Sequence, residues 1–317
     1  MIYTFLSFQT SKFYVSWKRM LKLIPWFEID KVFLEFSKYD FIAKTVKHKK
    51  KILVSRLHNV EHDYSKNEYR LKKDFRHLLI YLLSKKREQT VVRLSNSIIF
   101  LTYRDARRAS VLYKNVLGKT QFFVIPVAIE KPGLKLRNFV KNERMTLLLS
   151  GSLWYGPNYE GIIWFFKNVY GAIKQNFRVI LAGSRPTSEI INTIGEDSNV
   201  KIYKDVDNMS DIYSMSDIAL IPIFSGSGMK IKVADALAHK MLIVATDEAL
   251  TGYKLRDKTD CFVFSDIIDL IKTLQTINDM TEIEIQNIIN NGYDVFQKNN
   301  TINSCVRLYC DVIEHNQ

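Results

Sequence analysis

Glycine is missing from the first 117 residues, so any left-handed turn or close backbone approach there has to be made by residues that carry side chains. The 317 residues include only 3 cysteines and 6 prolines. Cys261, Cys305 and Cys310 are odd in number and follow no metal-ligand spacing. That argues against a disulfide framework and suits a reducing cytoplasm. No uncharged apolar run reaches the roughly 18 residues of a spanning helix, so no transmembrane segment is predicted. Met1 to Thr10 has no basic leader and no small-residue cleavage site follows it, so no signal peptide is expected. His58 and His62 stand four apart without the rest of a metalloprotease pattern, and no metal site is expected. Zinc-finger spacings, ribonucleoprotein aromatic motifs, low-complexity stretches and fixed-period repeats are also missing, so nucleic acid is not an expected partner.

What is present is enough chain for two domains of ordinary size, 47% hydrophobic and 25% charged. Its charge is uneven. Residues 1–145 hold 31 Lys+Arg against 12 Asp+Glu, net +19, and the remainder holds 15 against 21, net −6. A basic half suggests an anionic partner such as a membrane face, with a solvated lysine-rich surface as the plain alternative. Met1 to Pro25 interleaves aromatic and basic residues, which predicts an amphipathic helix over Ser11–Leu23. Such a helix suits either an anionic bilayer or its own domain.

Strand and helix patterns then alternate, which predicts an α/β chain. In the first half, strands are expected at Asp30–Phe36, Ile52–Ser55, Ser97–Thr102 and Phe122–Pro126. One long charged helix is expected over Ser65–Ser95. The polar run Arg56-Leu-His58-Asn59-Val60-Glu61 follows the second strand, where open α/β sheets place ligands. Gly133 to Glu143 reads as a linker, dividing an N-terminal domain (1–140) from a second domain (145–300), with a C-terminal helix in 301–317.

In the second half three strand ends carry glycine: Gly151-Ser152, Gly183-Ser184, and the run Ser225-Gly-Ser-Gly-Met-Lys-Ile-Lys232. The last passes from a buried strand, Ile218–Ile223, into a helical period that starts at Met229. A loop feeding a helix N-terminus offers free N–H groups to an anion. Lys230 and Lys232 add cations on the first turn, where lysine opposes the helix dipole. Phosphate is the guest such a loop suits; an ordinary turn is the other reading.

These elements have a familiar order: Gly151, Ser152, Pro157 and Asn158; Gly183 and Ser184; Val206 and Asp207; Ser216, Asp217 and Pro222; Ser225, Gly226, Gly228 and Lys232; Asp235, Ala236 and Ala238; Val244 and Thr246. From Ser150 to Tyr253 the chain resembles the donor-binding domain of GT-B glycosyltransferases, in particular the family 4 group. The first half resembles the acceptor domain more weakly, through Asp30 to Glu35 and His58-Asn-Val-Glu61.

The resemblance implies two Rossmann-like domains, donor domain second, with a C-terminal helix crossing back to the first. It implies transfer with retention from a UDP-, GDP- or ADP-sugar to a lipid-linked or surface glycan, without metal or other cofactor, at the cytoplasmic face of a membrane. His58 falls where the family has a histidine facing the donor sugar, and Asp235 where a glutamate holds the ribose. Ser227 stands in place of the glutamate that touches the sugar, and His58 and Ser227 are the expected catalytic positions. Gly151, Ser152, Asn158, Gly183, Arg185, Asp207, Gly226, Gly228, Met229, Lys230 and Lys232 are expected around the donor. Because Ser227 departs from the pattern and the glycine-rich acceptor loop is missing, a catalytically silent homologue, an interaction or scaffold subunit, is the competing reading.

Overall fold

A computed structural model describes residues 11–118, 120–132 and 138–315. Residues 1–10 of the amphipathic segment and 133–137 of the expected linker lie outside them. The chain forms two compact units: Met1–Ile125 with Arg307–Gln317, and Pro126–Val306.

The first unit begins with α1 (Ser11–Met20), β1 (Lys31–Glu35), α2 (Asp40–His48) and β2 (Ile52–Leu57). It continues with α3 (Glu61–Lys72), α4 (Phe75–Leu94), β3 (Ser97–Phe100), α5 (Tyr103–Leu112) and β4 (Gln121–Val124). The strands pair in parallel in the order β1-β2-β3-β4. Alternating strand residues feed opposite faces, as strand geometry requires. Leu53 joins Leu34, Ile42 and Val46 on one side, and Ile98 and Phe100 join Ala109 and Tyr113 on the other. Trp17 of α1 is partly buried against the first cluster, and Tyr14 meets Phe41 edge-on at 5.1 Å. One face of the amphipathic helix therefore packs on its own unit.

The long helix expected over Ser65–Ser95 is in fact two. Lys73 adopts φ 50, a left-handed turn that ends α3, and Asp74 restarts the helix by accepting a bond from the His77 N–H at 2.8 Å. An N-cap aspartate satisfies an otherwise orphaned donor, and this local chemistry outweighs the continuous charged pattern. The helix α4 also carries Glu88, completely buried. Its carboxylate accepts from the hydroxyls of Ser37 (2.9 Å) and Tyr113 (2.5 Å) and from the backbone N–H groups of Glu61 (3.0 Å) and His62 (3.1 Å). It thus stands in for the side-chain cap that α3 lacks.

The second unit runs β5 (Met145–Ser152), α6 (Gly156–Asn168), α7 (Tyr170–Ile173), β6 (Phe177–Ser184), α8 (Ser188–Ile194) and β7 (Val200–Lys204). Then come α9 (Met209–Ser214), β8 (Ile218–Ile221), α10 (Ile231–Ala238), β9 (Leu242–Ala245) and β10 (Phe262–Val263). The last helices are α11 (Ile267–Asp279), α12 (Glu282–Asn299) and α13 (Ile302–His315), the last of which begins in this unit and from Arg307 on belongs to the first. All six strands are parallel, in the order β10-β9-β8-β5-β6-β7. Both faces are covered: Leu147, Val179, Leu220 and Val244 lie in one apolar cluster and Leu148, Ile180, Ala219 and Ile243 in the other. Such near-continuous apolar strands are typical of a doubly covered parallel sheet.

Two expectations change here. The helix read from Met229 begins at Ile231, with Lys230 at its N-cap position in an extended conformation. The later part of the expected linker is fastened down. Phe139 is buried and donates its N–H to Gln286 Oε1 at 2.6 Å, and the Lys141 ammonium bonds the carbonyls of Asn278 and Met280, both at 2.6 Å.

Candidate functional site

From β5 the second sheet grows one way through β6 and β7 and the other way through β8, β9 and β10. The order reverses between β5 and β8, and open α/β sheets leave a crevice outside the carboxyl ends of the strands at such a point. A cleft of about 520 Å³ lies there. Its walls come from the ends of β5 (Ser150, Gly151, Ser152) and β6 (Gly183, Ser184), and from the loop Ser225–Lys230 with the first turns of α10 (Lys232, Asp235).

The glycines are needed for space. A Cβ on Gly183 would stand 1.8 Å from the Gly151 carbonyl oxygen, closing the gap between the two strand ends. Gly151 has φ 128, and a Cβ there would fall 2.9 Å from the Lys232 ammonium.

Lys232 is the central group. Its ammonium donates to the Ser150 carbonyl and to Asn158 Oδ1, the latter at 2.9 Å. These acceptors are neutral. Burial pushes its pKa down to about 8 from 10.5, because a cation taken out of water without a counter-charge favours its neutral form. Lys230, in contrast, is paired with Glu248 at 2.8 Å and also bonds the Gly228 carbonyl at 3.1 Å. Of the two loop lysines, Lys232 is the one whose charge no carboxylate in the described residues answers.

Asp235 faces the same cleft. Burial raises its pKa, opposed by the nearby His239 and by a hydrogen bond with the Tyr213 hydroxyl. His239 is fixed behind it, with Nδ1 at 2.7 Å from the Asp235 carbonyl and Nε2 at 3.2 Å from Ser210 Oγ. Ser227 Oγ is buried at the cleft wall without a hydrogen-bond partner, an exception to the usual pairing of buried polar atoms.

The structure therefore brings together Gly151, Ser152, Asn158, Gly183, Gly226, Ser227, Met229, Lys230, Lys232 and Asp235 around one cleft. Four expected residues stand outside its lining, His58 of the first unit and three of the second. Asp207 is exposed, and the neighbouring Asp205 and Val206 line the cleft instead, because β7 ends at Lys204 and the turn presents those residues first. Arg185 is exposed and holds its guanidinium 4.5 Å over the Trp154 ring. Gly228 supplies a left-handed turn, φ 68, within the loop. Tyr155, Asp205, Met209 and Tyr213 line the cleft without having been marked by any motif.

His58 belongs to the first unit. It follows β2, with Nε2 at 2.6 Å from Glu35 Oε2 and its ring stacked on Phe36 at 4.2 Å. That hydrogen bond, more than the Arg56 charge, holds the Glu35 carboxyl below its usual range. Among the described residues no cluster of three His, Cys, Asp or Glu side chains could hold a metal, and no helix is long and apolar enough to cross a membrane.

Comparison with known proteins agrees with this geometry. Residues 144–278 match the family model described as glycosyl transferases group 1. That stretch is similar to group 1 glycosyltransferases, and the two parallel sheets have the GT-B fold. Sucrose-phosphate synthase from Thermosynechococcus elongatus superposes with TM-score 0.68 at 13% identity, over 90% of this chain and 73% of that one. A glycosyltransferase from Rickettsia africae ESF-5 gives 0.68 at 12% identity, over 94% and 80%. Anabaena HepE, in complex with UDP and glucose, gives 0.63 at 11% identity, over 90% and 78%. At such identities these likenesses speak for the fold alone. No curated protein matches the sequence.

Proposed function

We propose that the cleft at the β5/β8 switch point holds the nucleoside diphosphate of a sugar donor, and that the chain transfers the sugar, with retention, to a lipid-linked or surface glycan. The observation that carries this reading is Lys232, a cation drawn out of water with only neutral acceptors, in a cleft whose glycine loops leave the backbone bare. A diphosphate supplies the missing counter-charge. As the sugar departs, negative charge grows on the same phosphates, and a fixed cation with preorganised N–H groups favours that state over the ground state.

In this reading the backbone of Gly226, Ser227 and Met229 and the Ser227 hydroxyl donate to the donor, and Asp235 accepts from the ribose hydroxyls. Lys230, already neutralised by Glu248, holds the loop in shape. In the first unit His58 is braced by Glu35 and is the residue this reading assigns to the sugar. The basic first half serves the acceptor side: Val15, Met20, Leu23 and Phe27 are exposed beside Lys18, Arg19 and Lys22, a combination suited to an anionic bilayer surface.

Titration with UDP-, GDP- and ADP-sugars, with product analysis, tests the reading. Saturable binding of one donor and transfer to a glycan acceptor are expected, and Asp235→Ala should weaken binding by about 1–3 kcal/mol, as for loss of a charged hydrogen-bond partner. Failure of every donor to bind would overturn the assignment. Binding without transfer or hydrolysis would make the chain the silent homologue.

A further inference from the structure

A second cavity of the same unit, about 660 Å³, opens at the opposite edge of the β5-β6-β7 sheet, at the amino ends of the strands. It is walled by four cations, Arg144, Lys174, Arg178 and Lys201, and by one carboxylate, Asp197. That carboxylate is already engaged. One oxygen accepts from the Tyr170 hydroxyl at 2.7 Å and the other from the Asn199 N–H at 2.9 Å. Arg144 is fixed through Nη2, which bonds the carbonyls of Lys174 (2.6 Å) and Phe177 (3.3 Å) and Asn199 Oδ1 (2.5 Å), while its buried Nε has no partner. Residues 146–317 are net acidic, so this cationic edge is not a by-product of local composition. Like charges gathered around one concavity repel each other, a cost that a bound anion removes.

We infer that this amino-edge cavity is a second anion site, which takes a small soluble phosphate-bearing ligand. The planar Arg144 guanidinium is held in place at one side, and Arg178 at the start of β6 and Lys201 on β7 reach in from the sheet. The site is distinct from the donor cleft yet built on the same strands. Strand β5 runs from Thr146 at this cavity to Ser152 at the cleft, and β6 from Arg178 to Ser184.

Calorimetric titration of the full chain with pyrophosphate tests the assignment, in wild type, in Arg178→Ser/Lys201→Ser and in Lys232→Gln. The exposed positions of Arg178 and Lys201 leave folding intact, which circular dichroism checks. The Arg178→Ser/Lys201→Ser protein should bind pyrophosphate at least about tenfold more weakly at one site, while Lys232→Gln retains that site. Should the donor reading fail, only the Lys232-dependent event is lost and the amino-edge event persists. Unchanged binding in Arg178→Ser/Lys201→Ser would overturn the proposal. So would retention on phosphatidylglycerol vesicles that depends on Arg178 and Lys201 when pyrophosphate produces no heat, since it would assign these cations to a lipid surface.

Discussion

Glu88 in the first unit and Lys232 in the second are both withdrawn from water without an ion pair, and the two are handled in contrasting ways. Glu88 in the first unit is enclosed, and each of its oxygens accepts two bonds from donors supplied by the protein itself. Lys232 in the second has two neutral acceptors and stands at the wall of an open cleft. A withdrawn charge whose bonds are all met internally holds structure together. One that is left short beside a cavity is organised for something that arrives later.

The comparison can be broken most visibly at Glu88. Its replacement by alanine strands four buried donors, and denaturant unfolding should report a loss of about 3–5 kcal/mol from the first unit, with Glu88→Gln recovering part of it. An effect within experimental error would remove Glu88 from its role as an internal anchor. On the other side, Gly183→Ala sets a methyl against the Gly151 carbonyl, where neither backbone can yield without parting β5 from β6. A loss of about 2–3 kcal/mol is expected, together with loss of nucleotide binding.

The pH dependence of stability sharpens the contrast, because the two units should respond in opposite directions. Burial raises Glu61 from 4.5 to about 7. Between these values the unfolded chain releases its proton first, so this group's stabilising contribution is complete below 4.5 and is lost as pH rises to about 7. After allowance for partial exposure the loss is about 1–2 kcal/mol, and Glu61→Gln should abolish it. Lys232 is depressed from 10.5 to about 8, so its contribution is present above 10.5 and is lost as pH falls through about 8. Its affinity for a diphosphate should be flat below about 8 and weaken above it, because the bound form needs the proton. Titrations at several pH values check both slopes.

Much of the second unit was legible from the chain alone. Short apolar runs ending in glycine mark buried parallel strands and bare strand ends, and Gly151, Gly183 and Gly226 do converge on one cleft. What escaped depends on partners distant in sequence. Nothing near Lys230 announces Glu248, 18 residues on, so the two loop lysines look equivalent until the fold separates them. Glu88 lies among Lys85, Lys86 and Arg87 and reads as part of a solvated face, although it is completely buried. The break at Lys73 was hidden because a lysine rarely signals a left-handed turn, while Asp74, three residues before the N–H it caps, carried a signal that the charged pattern masked. Tyr213 left no trace at all, since its hydroxyl matters only once α9 brings it beside Asp235.

The central claim, that Lys232 is a cation kept short of its counter-charge for an arriving diphosphate, is tested most directly by Lys232→Met. Denaturant stability at pH 7 and the affinities for uridine, guanosine and adenosine diphosphates would be measured on the same preparation. The variant should be no less stable than the wild type, since it loses a poorly solvated charge. It should also bind the preferred diphosphate about tenfold to a hundredfold more weakly. A variant that is destabilised but binds the diphosphate as the wild type does would make Lys232 a structural residue and contradict the account.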